Sequence, residues 1–478
     1  MVQTSSATDA ASSARPTRTR TWAVVLAACA GQFLVVLDVS VVNVALPSMR
    51  AELGMSASGL QWVLNAYTLT FAGLMLLGGR AGDLFGRKRM FLAGLGLFVA
   101  ASLAGGLAQE SWQLVAARAV QGMGAAVLAP ATLTILTTTF PDGPARTRAI
   151  GTWTAVGAAG GAAGGLVGGV LTDVLSWRWV LLINVPIGAV VLLGAAWWLT
   201  ESRERTSRNL DTPGALLVTS GLVALAYGVV QTESRGWTAA EALLPLAAGL
   251  VLLAGFVAVE ARSATPLMPL TLFRLRSVSA ANVAMFVNGA ATFSMWYFMS
   301  LYMQNVLGYT PIQTGLAFIP QSLSIVLGSK LAPLLMARIG ARRVAMLGTL
   351  IAVAGYLWQS AMQAHGSYPV SVLGPGILMA LGAGLSATPL AAVATSRAAA
   401  RDAGLVSGLI NTSRTMGGAL GLAVLSTVAA SRIGEAAGRV SQTEGYALAF
   451  RTGGWILLGS ALFMFFALPR ERVGEQHG

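Results

Sequence analysis

One carboxylate in this sequence is placed where an apolar surrounding makes it expensive. Asp38 lies in LDVSVVNVALP, Leu37 to Pro47, near the end of a hydrophobic run that begins at about Trp22. Counted from Val24, it is about 21 Å along a helix that rises 1.5 Å per residue. An ionised carboxylate at that depth pairs with a cation, faces a water-filled path or carries a proton. Three cations share this setting: Arg118, Lys330 and Arg414. A guanidinium stays charged at any ordinary pH, so Arg118 must find water, a carbonyl or an acid. Lys330 is two turns from Arg338 and can reach an aqueous edge along its own stem. Arg414 is about a dozen residues into its run and is the deeper pathway candidate. Gln32, Asn43, Gln121 and Asn288 add neutral polar groups inside apolar runs. Phe286, Phe293 and Tyr297 share one helical face, suited to flat apolar solutes or simply to packing.

No catalytic set emerges from the remaining reactive residues. The lone cysteine, Cys29, sits in an apolar run, and His365 and His477 fall in a loop and at the tail. An intrachain disulfide is impossible, and no metal-ligand spacing is present. No GxxxxGK[ST] stretch occurs, which argues against direct use of ATP.

The elements that must position these residues follow from composition. Of 478 residues, 55% are hydrophobic and 10% charged, with a mean hydropathy of +0.69. A water-soluble chain of this length needs more charge to cover its surface, so the fold class is an all-α polytopic membrane protein. Apolar runs of helical span length number fourteen. They cover about 22–46, 59–79, 90–109, 112–139, 146–171, 178–199, 213–231, 243–260, 279–302, 312–334, 343–363, 370–396, 403–431 and 450–468. The net charge of +13 is scattered in short clusters between these runs, which is the pattern of topology signals and not of nucleic-acid binding. With the N-terminus inside, only Arg50, Arg178, Arg235, Arg432, Arg439 and Arg451 fall outside the cell. That asymmetry favours both termini on the cytoplasmic side, and basic charge that is almost all arginine, with heavy alanine and glycine use, points to a bacterial membrane.

Two charged connectors, Glu201 to Asp211 and Glu260 to Arg276, bracket the seventh and eighth runs. The expected organisation is a disordered cytoplasmic tail over 1–21 and a six-helix half over 22–200. An inserted helix pair with its connectors follows over 201–276, then a second six-helix half over 277–470 and a short tail over 471–478. GRAGDLFGRKR, Gly79 to Arg89, follows the second run of the first half, and ARIGARR, Ala337 to Arg343, follows the second run of the other. Such internal repetition is typical of secondary transporters, which bind solute near the midplane between halves.

Five stretches carry a resemblance. LDVSVVNVALP matches a first-helix signature with Ser40 where Thr is usual, and GDLFGRKR, Gly82 to Arg89, matches a loop motif. RAVQGMGAA, Arg118 to Ala126, matches a fourth-helix motif; SWRWVLLINVPIG, Ser176 to Gly188, and GLVSGLINTSRTMGGALG, Gly404 to Gly421, also fit. From about residue 22 to 468 the chain resembles the fourteen-helix drug:proton antiporters of the major facilitator superfamily. The resemblance implies two six-helix halves plus two inserted helices. It implies Asp38 and Arg118 as proton-coupling residues, and Gly82, Asp83, Gly86 and Arg87 as a cytoplasmic gate in which Asp83 meets the N-terminal end of the thirteenth helix. The fifth-helix antiporter motif falls on Gly164, Gly165, Gly168 and Gly169, with Gly165 where the family has proline.

The resulting expectation is efflux of a lipophilic drug or antibiotic, driven by the proton gradient through alternating access, without a cofactor and by a monomer. One deep acid against several deep cations favours a neutral, monocationic or anionic solute over a rigid dication. The alternative within the same class is export or symport of an endogenous metabolite or lipid precursor. Gln32, Asn43, Gln121, Asn288, Phe293, Tyr297 and Arg414 are the substrate-pathway candidates.

Overall fold

A computed structural model describes residues 18–140, 144–201, 212–236, 238–263, 266, 270–396, 403–433 and 438–469. These are almost wholly helical, and a helix occupies every one of the fourteen expected stretches. We label them α1 (Arg18–Leu53), α2 (Ala57–Phe85), α3 (Arg87–Gly106), α4 (Ser111–Thr139) and α5 (Pro144–Val170). Then come α6 (Trp179–Trp198), α7 (Thr212–Arg235), α8 (Ala240–Arg262) and α9 (Arg276–Leu301). The last are α10 (Pro311–Ile339), α11 (Ala341–Gln359), α12 (Pro369–Thr395), α13 (Ala403–Ile433) and α14 (Arg439–Ala467). Among the described residues, ten helices are both long and apolar enough to cross a bilayer, a count consistent with fourteen spans.

Fourteen helices crossing in alternation return the chain to the side on which α1 starts, the near face, and the opposite side is the far face. Helices α2, α4 and α10 start at the far face, each behind a polar cap. The Ser56 hydroxyl accepts from the Gly59 N–H, and Glu110 with Gln113, and Thr310 with Gln313, form reciprocal capping boxes. Each satisfies amide groups that the first helical turn leaves open. At the near face, α2 turns into α3 at Gly86 (φ 107°) and α10 into α11 at Gly340 (φ 83°). These positive φ values are open to glycine at no steric cost, so the internal repeat seen in sequence is a repeat of backbone geometry.

Three expected boundaries need correcting. Hydropathy marks the lipid-depth portion of a helix, whereas its backbone ladder continues into polar turns beyond. Thus α14 starts at Arg439 and not near residue 450, and α1 runs through Pro47 to Leu53 instead of ending there. The second run, expected to end near residue 79, continues as α2 to Phe85 and takes in Gly82, so the turn is made at Gly86.

Pro47 joins the halves. A proline cannot donate to the carbonyl four residues back, here that of Asn43. Ser300 of α9 donates its hydroxyl to that carbonyl at 2.8 Å, and Gln304 donates to Val44 O at 2.9 Å. Beside this tether α5 meets α10 through glycine: a Cβ on Gly169 would stand 2.5 Å from Pro311 O, and one on Gly315 would strike Gly165 O. Here the two halves meet by backbone-to-backbone approach. Elsewhere the seam between halves is flanked by α7, whose Leu222 and Ala226 pack with Leu69 of α2 and Ala419 of α13.

Candidate functional site

Asp38 is wholly buried, and its carboxylate is saturated by three donors from two helices. Arg118 Nη1 of α4 donates to Oδ2 at 2.6 Å, Gln121 Nε2 to Oδ1 at 2.7 Å, and Asn184 Nδ2 of α6 to Oδ1 at 3.0 Å. The guanidinium is held from other sides as well. Its Nη1 also reaches Gln121 Oε1 at 2.6 Å, its Nε donates to Val63 O of α2 at 3.1 Å, and it lies 4.3 Å above the Tyr67 ring centroid. Ser102 of α3 accepts from Gln121 and Asn184 at 2.7 and 3.3 Å and donates to Phe98 O.

Helical spacing builds this cluster. Arg118 and Gln121 are three apart and so share a face of α4, one turn above another. Glycine lets the neighbours close in: a Cβ on Gly122 would strike Thr70 and Tyr67 of α2, and one on Gly124 would stand 2.6 Å from Phe98 N of α3. All partners of Asp38 are donors, so the arrangement fits an ionised carboxylate. A proton on Oδ2 would set O–H against N–H and release Arg118. The fourth-helix arginine is thus paired at depth and does not reach for the surface.

The second half repeats this contact without charge. Asn288 Nδ2 of α9 donates to Ser386 Oγ of α12 at 2.6 Å, between the helices equivalent to α1 and α4. Asn288 lines a small gap with Thr292, Met295, Tyr356 and Met379, all within the second half.

The remaining candidates divide. Gln32 lies beside Gly157 of α5, and its Oε1 is buried with no partner among the described residues. Asn43 donates to Val39 O in its own helix at 2.9 Å. The Phe293 ring packs on Gly418 of α13. Tyr297 is 3% exposed and joins the apolar cluster around Phe298. Arg414 is half-buried, with one hydrogen bond at 3.3 Å from Nη2 to Asn411 Oδ1. Lys330 is exposed.

In the gate motif Arg87 is buried, and the Asp83 side chain lies outside the described residues, so its expected contact with the N-terminal end of α13 does too. A partner not expected from sequence is Glu201, just after α6. Its carboxylate accepts from the Lys88 and Arg89 N–H groups, both at 3.2 Å, where the α3 dipole favours an anion. Arg89 Nε stands 3.7 Å from it.

The α5 glycines are not equivalent. Cβ atoms on Gly164 and Gly168 would collide with Ser40 and with Val41 O of α1, while one on Gly165 meets nothing closer than Phe318 Cβ at 3.5 Å. Ser40 Oγ donates to Gly161 O at 2.8 Å along the same contact. Gly165 therefore has room for a side chain, at the position where the resemblance expects proline. We expect Gly165→Ala to unfold thermally near wild type, and Gly164→Ala and Gly168→Ala each to lose about 1–3 kcal/mol from overpacking. Equal effects at all three positions would contradict the contact.

The comparisons agree with this architecture. The family model described as Major Facilitator Superfamily matches residues 28–422 and 281–476. Cephamycin export protein CmcT of Amycolatopsis lactamdurans is 49% identical over 419 residues, 87% of this chain and 86% of that protein. Puromycin resistance protein pur8 of Streptomyces alboniger is 38% identical over 412 residues, 86% and 82% of the two chains. Among solved structures, the nucleoside transporter NupG superposes with a TM-score of 0.68 at 11% identity, covering 92% of this chain and 100% of its own. A bacterial homologue of the human lysosomal transporter Spinster gives 0.63 at 17% identity, covering 95% and 96%. The chain belongs to the major facilitator superfamily. It is a multi-span membrane transporter and not an enzyme.

Proposed function

We propose that this transporter exports a lipophilic antibiotic-like compound in exchange for protons, with Asp38 as the proton-carrying group. The observation that carries the reading is the Asp38–Arg118 pair: a carboxylate whose every partner is a donor, joined to a cation that its protonation would free. Freed, Arg118 would pull on Val63 O and Tyr67 of α2, the helix that also meets α13 across the seam through Met75 and Asn411. That gives protonation a route to the packing of the halves. Relatives whose names record cephamycin export and puromycin resistance support antibiotic efflux.

In this reading residues 22–200 and 277–470 rock about the solute and 201–276 flank the seam. The chain-end face is cytoplasmic and the far face outer. The unit is a monomer in a bacterial inner membrane, needing no cofactor or ATP, only the proton gradient. Cells expressing the protein should accumulate less of an exported antibiotic than control cells, and a proton uncoupler should abolish that difference. Efflux that survives uncoupling would refute proton drive. Proton release into the medium together with outward solute flow, in place of proton uptake, would favour the symport alternative.

A further inference from the structure

We propose that Arg414 is an anion subsite in the solute path, so that the favoured cargo is a lipophilic compound bearing one carboxylate or sulfonate. This deepens the export reading and rests on it for the path. Arg414 is eleven residues after the first residue of α13, about 16 Å along the helix and near the middle of a bilayer core of about 30 Å. Two arginines at membrane depth receive opposite treatment. Arg118 is 1% exposed and holds a carboxylate, a side-chain amide, a backbone carbonyl and an aromatic face. Arg414 has one long hydrogen bond to a neutral amide oxygen, and no acid pairs with it among the described residues. A guanidinium at that depth is costly without an anion beside it, and no acid of the protein needs to stand there if the solute brings its own.

Its place suits that role. Gly289 of α9 packs directly on the Arg414 carbonyl, which fixes the helix here. Asn411, the partner of the guanidinium, donates to Met75 Sδ of α2 at 3.4 Å, so the head group stands at the seam between halves and not at lipid. One turn further along α13, on the same helix face, Gly418 carries the Phe293 ring, an apolar surface. A flat apolar body with an anionic head meets both, with two parallel N–H bonds from the planar fork to the oxygens.

A matched pair of fluorescent probes tests this with the full chain in phosphatidylcholine nanodiscs. 8-Anilinonaphthalene-1-sulfonate and N-phenyl-1-naphthylamine share a ring system and differ by the sulfonate. The wild type should bind the sulfonate more tightly than the neutral amine. Arg414→Gln should lower the ratio of the two affinities by about tenfold, the scale of one charge-assisted hydrogen-bonded contact, and Arg414→Lys should restore part of it. Binding of neither probe, a wild-type preference for the amine, or an equal loss of both in Arg414→Gln would overturn the subsite. Loss of sulfonate binding on adding phosphatidylglycerol would assign the site to a lipid headgroup and overturn it too. Because binding needs no gradient, a sulfonate that binds as expected but is not exported would refute the export reading and leave the subsite standing.

Discussion

Replacing Arg118 by methionine should destabilise the protein by about 3–5 kcal/mol, more than replacing Arg118 and Asp38 together. The single change leaves an ionised carboxylate, 0% exposed, with only Gln121 and Asn184 as donors. Asp38→Asn in the same chain removes that orphaned charge, and its amide still offers an oxygen to both remaining donors. Cys29, 5% exposed and the lone cysteine, supplies the readout: its labelling by a thiol-reactive dye during a thermal ramp reports opening of the first helix and its neighbours. The order expected is wild type, then the double variant, then Arg118→Met. A double variant as unstable as the single one would mean that Arg118 acts through packing on Tyr67 and Val63 and not through charge.

The same double variant should fold yet fail to couple. An asparagine cannot take up a proton, and among the described residues no other carboxylate stands at the α1–α4 contact. Glu260 is also buried, at 3% exposure, but it stands three residues from the end of α8, in the inserted pair and away from the α1–α4 contact. Uphill export driven by a pH gradient should therefore fall to that of empty liposomes in Asp38→Asn and in the double variant. Downhill exchange of solute should persist, because the halves and their seam are unchanged. Loss of both activities together would point to a collapsed structure and not to a missing proton.

The charged pair was legible in the sequence because Asp and Arg are rare within apolar runs, and each stands out without knowledge of its partner. Ser102, Tyr67 and Asn184 were not. Neutral polar groups are common in spans, where they satisfy their own helix as Asn43 does, and a backbone acceptor such as Val63 O has no sequence signature. Asn184 stood inside the quoted SWRWVLLINVPIG motif, so its position on α6 facing α1 was the signal that could have found it. Likewise the glycine run of α5 announced close packing without saying which glycines touch α1. Only the helical rotation, fixed by the neighbours, separates Gly164 and Gly168 from Gly165. The repeat of the loop motifs was readable, and the positive φ at Gly86 and Gly340 gives it a physical meaning. The proline of the first signature was read as a helix end, whereas it frees a carbonyl for a donor of the other half.

The most direct test of the central claim places purified protein in liposomes with an imposed pH gradient and follows an exported antibiotic and protons together. Wild type should move the compound against its gradient while protons move down theirs. Asp38→Asn should exchange the compound only downhill and carry no coupled proton flux. Uphill, proton-linked transport by Asp38→Asn at the wild-type rate would contradict the account.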